Sequence, residues 1–236
     1  MKREAVSGRV SLVVPCYNTD SYVQPCLDSL ISQTYLDIEI IVVDDSSTDT
    51  TWSRIQTWMD RIAKQNLTFP LDERFFAIRL PRNAGFAGAV TTGMYLARGE
   101  FIAMQDSDDL SHPERIKYQV NAMRQRSELD LVGTSYQYFK DGRFENRERE
   151  QWLKYGSEKI KAVYKNGGHC VCHGTILFRS ALFNKLGGPT RRIEGAEDYD
   201  FIARCISSGV TVDNLKKPLY YYRIHDKQRS KEYYGN

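Results

Sequence analysis

The sequence predicts an α/β fold in which a mostly parallel central sheet is flanked by helices on both faces. Short apolar runs rich in β-branched residues alternate with longer stretches whose apolar residues recur at helical spacing. Four such strands with three intervening helices, all within residues 10–110, are typical of a parallel sheet covered on both sides. No linker, repeat or low-complexity segment interrupts the chain, so residues 1–236 are expected to form a single domain.

The first two predicted strands span residues 10–16 and 39–43, and both have the composition of strands buried on two faces. Thr19 or Asp20 is expected to cap the helix between them. The buried stripe predicted for that helix is Val23, Cys26, Leu27, Leu30 and Ile31. The buried face predicted for the next helix is Trp52, Ile55, Met59, Ile62 and Ala63.

The third predicted strand, at residues 75–80, precedes a run of small residues at 83–89. Backbone there could approach a phosphate closely. A helix follows, and then the central strand at residues 101–104, which stops at three carboxylates: Asp106, Asp108 and Asp109. The second strand also ends on acids, Asp44 and Asp45. Because open α/β folds bind ligands outside the carboxyl ends of their strands, this acidic edge is the predicted site.

The three carboxylates after the central strand repel one another, and a divalent cation among them would relieve that repulsion. Mg²⁺ and Mn²⁺ are the ions that suit ligand sets made of oxygen. A solvated acidic turn is the alternative, because aspartate and serine are common turn residues. These three residues alone leave both interpretations open.

The second half of the chain has a less regular pattern. The sequence predicts a helix starting at Pro113, strands at 129–139, 175–179 and 215–222, and a helix opened by the acidic cluster at 194–200. The helix dipole alone favours acids in a first turn, so that cluster has a purely structural alternative. The highly charged segment 143–165 is predicted to be a mobile flap.

Composition excludes several classes of protein. A hydrophobic fraction of 41% and a charged fraction of 27% are ordinary for a soluble globular protein, and a net charge of +3 gives no support for nucleic-acid binding. No apolar run approaches the ~20 residues that span a bilayer, and no apolar signal core follows the N-terminus. We therefore expect a cytoplasmic protein, and the inner face of the membrane is one place in the cytoplasm where it could act.

The five cysteines do not form a disulfide framework, and Cys16, Cys26 and Cys205 are predicted to be small buried hydrophobes. The His-Cys-Val-Cys-His run at 169–173 lacks the two separated ligand pairs of structural zinc sites. No Gly-x-Gly-x-x-Gly follows the first strand and no Gly-Lys-Ser/Thr occurs, which argues against a plain Rossmann dehydrogenase and a P-loop protein.

Five motifs occur in order along nearly the whole chain. They are Val-Val-Pro-Cys-Tyr-Asn at 13–18, Val-Val-Asp-Asp-Ser-Ser at 42–47, Asp-Ser-Asp-Asp at 106–109, Glu-Asp-Tyr-Asp at 197–200 and Tyr-Arg-Ile-His at 222–225. Together they resemble an inverting family-2 glycosyltransferase with the GT-A fold. The resemblance implies a nucleotide-sugar-binding half at about 10–110 and an acceptor-binding half at about 111–236.

The donor that the resemblance implies is a nucleoside-diphosphate sugar, most often UDP-linked. Asp45 would accept a hydrogen bond from the base, while Pro15 and Tyr17 would line the base pocket. Asp106 would lie nearer the ribose, and Ser107 beside it is assigned to the donor as well. The sequence departs from the family where an Ala-Arg-Asn stretch is usual, because it reads Ala89-Val90-Thr91 there. Arg82 or Asn83 is expected to supply the missing diphosphate contact.

The cofactor that the resemblance implies is Mn²⁺ or Mg²⁺. Asp108 would be its direct ligand and His225 would complete the site, with Asp106 and Asp109 as further ligands. The sequence leaves open which carboxylate oxygen binds, and a surface histidine in a tail is the alternative for His225.

Asp198 matches the catalytic base of the family, which takes a proton from the acceptor hydroxyl so that direct displacement inverts the sugar. Glu197 would orient the site, and Asp200 is expected only to decorate the helix. His173 is a candidate in the acceptor-binding loop.

The implied acceptor is a hydroxyl of a glycan or a lipid-linked acceptor in cell-surface polysaccharide synthesis. A lipid-linked acceptor would require peripheral association with the membrane. Two other functions remain open: a sugar nucleotidyltransferase, and a sugar-nucleotide-binding scaffold without catalysis. The first would usually carry a glycine-rich basic segment after the first strand, which residues 17–20 lack, and the second would not need Asp198.

Overall fold

A computed structural model describes residues 5–65, 70–190, 195–229 and 231 of the chain. Its strands are β1 (Val6–Cys16), β2 (Ile38–Asp44), β3 (Phe75–Arg79), β4 (Gly99–Met104), β5 (Leu110–Ser111), β6 (Leu131–Lys140), β7 (Glu148–Arg149), β8 (Leu177–Arg179) and β9 (Val212–Ile224). Its helices are α1 (Val23–Ile31), α2 (Thr51–Ala63), α3 (Leu71–Arg74), α4 (Phe86–Leu96), α5 (Arg115–Gln125), α6 (Ser157–Lys165), α7 (Ser180–Leu186) and α8 (Glu197–Ser207). A 3₁₀ turn spans His173–Thr175.

One sheet runs through both halves of the chain in the order β3-β2-β1-β4-β8-β6-β9-β5, and β7 pairs with β6. Its first half is parallel, with β1 between β2 and β4. This confirms the predicted α/β class and the strands of the first half. Strand β8 is antiparallel to both β4 and β6, so the sheet is mixed where the second half joins it. The sequence pattern did not predict those antiparallel pairs.

Side chains of β1 alternate between two apolar layers, as they must in a strand. Leu12 packs with the layer that contains Leu27 of α1 and Trp58 of α2. Val13 packs with the opposite layer, which includes Met94 of α4 and Phe201 of α8. The helices therefore cover both faces of the sheet, as predicted. Cys16, Cys26 and Cys205 are buried in these layers, which confirms their predicted role as small hydrophobes.

Two details of the first helices were wrongly predicted. Neither Thr19 nor Asp20 provides a side-chain cap for α1, whose N-cap residue is Tyr22; instead the Thr19 carbonyl accepts the Tyr22 and Val23 N–H groups, both at 2.9 Å. On α2 the predicted face omitted Trp58, which is fully buried, and included Ala63, which is exposed; Ile55 and Ile62 are buried as predicted. Trp58 is pinned because its ring packs 5.0 Å from that of Phe75 and its indole N–H donates to Asp28 at 2.8 Å.

The charged segment 143–165, for which the sequence predicts a mobile flap, includes regular secondary structure. It contains β7 and α6, and Ile160 and Tyr164 one helical turn apart are buried on the core. Glu150 is buried as well, because its carboxylate accepts hydrogen bonds from the hydroxyls of Ser135 (2.6 Å) and Tyr155 (2.7 Å). High charge concealed a short amphipathic pattern here.

None of the helices in the described parts of the chain is both long and apolar enough to cross a bilayer. The acidic cluster at 194–200 does open a helix, α8, although Glu194 itself lies outside the described residues.

Candidate functional site

A cleft of about 1440 Å³ lies at the carboxyl ends of β1, β2 and β4, the edge that the sequence predicted. The loop before α4, the 3₁₀ turn, the start of α8 and the chain after β9 complete its walls. The cleft brings together most of the predicted site residues, and Arg82 is the exception: Pro15, Tyr17, Asp45, Asn83, Asp106, Ser107, Asp108, Asp109, Glu197, Asp198 and His225 line it. A single cavity therefore contains most of the predicted constellation.

Hydrogen bonds join the loops after β1 and β2 at one end of the cleft. The Asn18 side chain accepts the Thr48 N–H at 2.9 Å, and the Asn18 N–H donates to the Ser47 hydroxyl at 3.0 Å. Asn18 adopts a φ of 53°, a left-handed conformation that asparagine tolerates better than most residues. Next to it, Tyr17 is 47% exposed and lines the cleft, so part of its surface is available to a ligand.

Of the two acids that end β2, only Asp45 lines the cleft. Asp44 is fully buried, where it accepts the Ser47 hydroxyl and pairs with Arg79 at 3.2 Å. The Asp45 carboxylate accepts the Ala84 N–H at 2.6 Å, which ties it to the loop before α4. In that loop Asn83 accepts the Gly85 N–H at 3.0 Å, and Arg82 is not among the cleft residues.

The acids after β4 differ sharply in their surroundings. Asp108 contacts His225, with 3.0 Å between Oδ2 and Nε2. Asp109 is buried and accepts the Arg223 N–H at 2.7 Å, so one of its oxygens is committed to the fold. Burial first, and then the charge of Asp108, raises the pKa of both Asp106 and Asp109. The repulsion inferred from the sequence is thus present in the folded protein.

The residues present fit a divalent ion, although they do not form a complete ligand cage. Among the described residues, no group of three His, Cys, Asp or Glu side chains is arranged to hold a metal. Asp108 and His225 are already in contact, and His225 is buried, so it is not the surface histidine of the alternative. Mg²⁺ usually binds through one or two carboxylates plus substrate phosphates, and Asp108 and Asp106 could supply those carboxylates.

Arg115 supports the acidic loop from beneath, and sequence analysis missed it. Its buried guanidinium donates to the Met104 carbonyl (2.7 Å), the Gln105 amide oxygen (3.0 Å), the Ser111 hydroxyl (3.1 Å) and the Gln119 amide oxygen (3.1 Å). Burial lowers its pKa to about 10, which still leaves it charged at neutral pH. In the sequence, an arginine in the first turn of a helix gives no sign of burial.

Replacing Arg115 with alanine should lower the free energy of unfolding by about 3 kcal/mol, because several buried acceptors would lose their donor. Arg115→Lys keeps the charge but not the planar fork, so an intermediate loss is expected. Chemical denaturation measures both values. Arg124→Ala on the exposed side of the same helix is the control, and a loss at Arg115 no larger than this control's would contradict the support role.

The start of α8 forms the opposite wall of the cleft. Glu197 is buried and pairs with Arg229 at 2.6 Å, whose guanidinium also lies 5.1 Å from the ring centre of Phe86. Asp198 is partly exposed in the cleft and accepts the Tyr199 N–H at 2.8 Å. Asp200 pairs with Arg204 at 2.8 Å and does not line the cleft, in agreement with its predicted peripheral position.

Comparison with protein families and curated sequences gives a consistent result. A model described as Glycosyl transferase family 2 matches residues 11–187. EpsE of Bacillus subtilis (strain 168), which carries the name of a glycosyltransferase, is 31% identical over 221 residues, or 91% of this chain and 73% of EpsE. The chondroitin synthase of Escherichia coli is 27% identical over 229 residues, or 94% of this chain and 30% of that protein.

Solved structures resemble the chain as well. S. aureus TarS in complex with UDP matches with a TM-score of 0.71 at 22% identity, over 92% of this chain and 60% of that chain. The mannosyltransferase PcManGT from Pyrobaculum calidifontis, in complex with GDP-Man and Mn²⁺, matches with a TM-score of 0.66 at 19% identity, over 95% of this chain and 59% of that chain. At such identities the likeness concerns the fold, which is of the predicted GT-A type. The chain spans about three fifths of the length of both structures.

Proposed function

The chain belongs to glycosyl transferase family 2, and from this we propose that it transfers a sugar from a UDP-linked donor to a hydroxyl of a glycan or lipid-linked acceptor. We propose further that the transfer is metal-dependent, inverts the sugar and serves cell-surface polysaccharide synthesis. The observation that carries the proposal is one cleft with two acidic walls, the loop at 106–109 and the start of α8. Both walls line the same cavity, so one substrate could lie between them.

A nucleotide end fits the side of the cleft at β1 and β2. Tyr17 offers ring surface there, and Asp45 provides carboxylate oxygens that could accept from a base N–H. Pro15 and Asn83 border the same end. UDP as the nucleotide is supported by TarS, which has been solved with UDP and with UDP-GlcNAc. Polysaccharide as the product is supported by the likeness to chondroitin synthase.

Asp108 and His225 are the residues that would hold Mn²⁺ or Mg²⁺, with Asp106 beside them. When bound, such an ion would neutralise the negative charge that develops on the departing diphosphate. Asp109 acts differently: its bond to the Arg223 N–H fixes the course of the loop that presents Asp108. The likeness to PcManGT, which has been solved with Mn²⁺, supports a metal requirement.

Asp198 is the proposed general base. Its carboxylate lies in the cleft on the wall opposite the diphosphate end, where it can take the proton from an incoming hydroxyl. Attack from that side, opposite the leaving group, inverts the anomeric carbon. Glu197 is held by Arg229, which fixes the first turn of α8 and hence the position of Asp198.

Slow release of UDP from UDP-sugars in the presence of Mn²⁺ tests this function, because transferases commonly hydrolyse their donor when no acceptor is present. We expect UDP release with at least one member of a panel containing UDP-GlcNAc, UDP-glucose and UDP-galactose. Formation of pyrophosphate with a nucleoside triphosphate and a sugar phosphate would indicate a nucleotidyltransferase instead. Binding of the donor without turnover, with or without glycan acceptors, would indicate a scaffold.

A further inference from the structure

His173 is a buried polar side chain without a partner. It is only 5% exposed, and among the described residues neither of its ring nitrogens has a hydrogen-bond partner. Buried polar atoms in folded proteins are normally paired, and leaving one unpaired costs stability. His169 in the same loop shows the usual arrangement, because its Nδ1 lies 3.0 Å from the Tyr164 hydroxyl. Several other buried side chains in the described parts of the chain also have an unpaired polar atom, but at His173 both ring nitrogens are unpaired, so a ligand could pair with either.

The position of His173 in the cleft is fixed by its neighbours. The following residue, Gly174, packs so closely on Asp106 and Tyr220 that a Cβ atom there would collide with both. The imidazole packs edge-on against Phe86, with 5.5 Å between ring centres. Glu197 and Asp198 line the same cavity. His173 thus lines the same cavity as the acidic loop that would hold the diphosphate and the proposed base.

The space between those two walls is where the sugar of a donor must lie, since its anomeric carbon has to face both the diphosphate and the attacking hydroxyl. We propose that the His173 imidazole hydrogen-bonds a hydroxyl of the transferred sugar and is a determinant of which sugar is accepted. This inference rests on the proposed function and adds to it a residue that recognises the sugar.

The chemistry of the side chain matches a sugar hydroxyl better than it matches phosphate. A neutral imidazole carries one donor and one acceptor, and a hydroxyl can satisfy either. Burial lowers the pKa of His173, which keeps the ring neutral and makes it a poor partner for a phosphate dianion. A site that buries a polar group for a substrate hydroxyl discriminates strongly, because a sugar lacking that hydroxyl leaves the group unpaired.

Imidazole nitrogen resonances provide a direct test, because the chain has four histidines, His112, His169, His173 and His225. Ring ¹⁵N spectra of the wild-type protein are compared without ligand, with UDP and Mg²⁺, and with a UDP-sugar and Mg²⁺. The donor is whichever member of the panel UDP-GlcNAc, UDP-glucose, UDP-galactose and GDP-mannose binds. We expect the His173 signals to shift with the nucleotide sugar and not with the nucleotide alone, while His112 outside the cleft stays unchanged.

Two variants extend the test to affinity. His173→Leu should weaken nucleotide-sugar binding about tenfold, the value of one hydrogen bond, and leave nucleotide binding unchanged. His173→Gln keeps a donor and an acceptor and should restore part of the difference. His112→Gln is the matched control and should bind both ligands as the wild-type protein does.

Each outcome separates this inference from the proposed function. Unchanged His173 signals with a nucleotide sugar that binds and is hydrolysed would refute the inference and leave the proposed function standing. The same holds for equal shifts with nucleotide alone, or for shifts that appear only when a glycan acceptor is added. Failure of every nucleotide and nucleotide sugar to bind would refute the proposed function, and the inference with it.

Discussion

Asp198→Asn should lower kcat for UDP release and for transfer by about 10²–10⁴-fold, the usual contribution of a positioned general base. Asparagine preserves the size of the side chain and can still accept the Tyr199 N–H that Asp198 accepts at 2.8 Å, so the start of α8 should keep its geometry. What the amide loses is the ability to take a proton. Steady-state kinetics measure kcat, and titration calorimetry with UDP measures nucleotide affinity, which should remain within about twofold of wild type because the base is absent from the nucleotide end.

The control for this substitution is Asp200→Asn, two residues away on the same helix. Asp200 pairs with Arg204 outside the cleft, and an ion pair between residues i and i+4 of a helix contributes about 0.3–0.5 kcal/mol. Its removal should leave kcat near the wild-type value. Equal losses at Asp198 and Asp200 would mean that charge on the first turn of α8, rather than a base, supports turnover. Near-normal turnover in Asp198→Asn would remove Asp198 from the role.

Periodicity and strand-end chemistry were sufficient to predict that residues of several strand ends line one cleft. Parallel strands place their carboxyl ends at one edge, so residues as distant in sequence as Asp45 and Asp106 could be assigned to one cleft from the strand pattern alone. The motif at 197–200 added Asp198 to the same cavity, although only the fold shows that α8 reaches it. Local pattern is informative here because each strand is apolar along its whole length and ends abruptly in polar residues.

The sequence could not show which of two adjacent acidic residues faces the cleft and which is buried in the fold. Asp108 and Asp109 are neighbours of the same type, yet one contacts His225 and the other turns inward to the Arg223 N–H. That difference is set by contacts more than 110 residues away, as the separation in sequence of both pairs shows. Asp44 and Asp45 differ in the same way, because Asp44 is buried and Asp45 lines the cleft. Which member of an acidic pair faces a ligand depends on long-range packing, which local pattern does not encode.

The residues that sequence analysis missed share a physical cause. Arg115 is a polar residue whose burial is created by elements far apart in the chain. Local signals describe one element at a time, whereas burial of a cation or an imidazole depends on what the neighbouring elements supply. The sequence placed His173 in the acceptor-binding loop, and only the fold shows the contacts of that loop with Asp106 and Phe86, on which the proposal that His173 contacts the sugar is based. Paired strands such as β4 and β8, antiparallel and 70 or more residues apart, are equally invisible to periodicity.

Removal of divalent cations should abolish UDP release, and Mn²⁺ should restore it. The acids after β4 are the reason: burial and mutual repulsion raise the pKa of Asp106 and Asp109, because full negative charge in this cluster is unfavourable without a cation. A dianionic or trianionic nucleotide would face that charge directly, and a cation between them converts repulsion into attraction. The measurement is UDP release in EDTA and after back-titration with Mn²⁺ or Mg²⁺; full activity in EDTA would contradict a metal role.

The substitution Asp108→Asn tests whether the metal ion binds at Asp108. Removing one charged ligand should raise the Mn²⁺ concentration needed for half-maximal activity by at least about tenfold, as substitutions around metal sites commonly do. It should also weaken UDP binding in the presence of Mn²⁺ while changing it little in EDTA, where no ion links the carboxylate to the diphosphate. His225→Gln should shift the Mn²⁺ requirement in the same direction, because His225 and Asp108 are in contact. A variant at Asp108 with an unchanged Mn²⁺ requirement would place the ion elsewhere in the cleft, and the two acidic walls would then need another explanation.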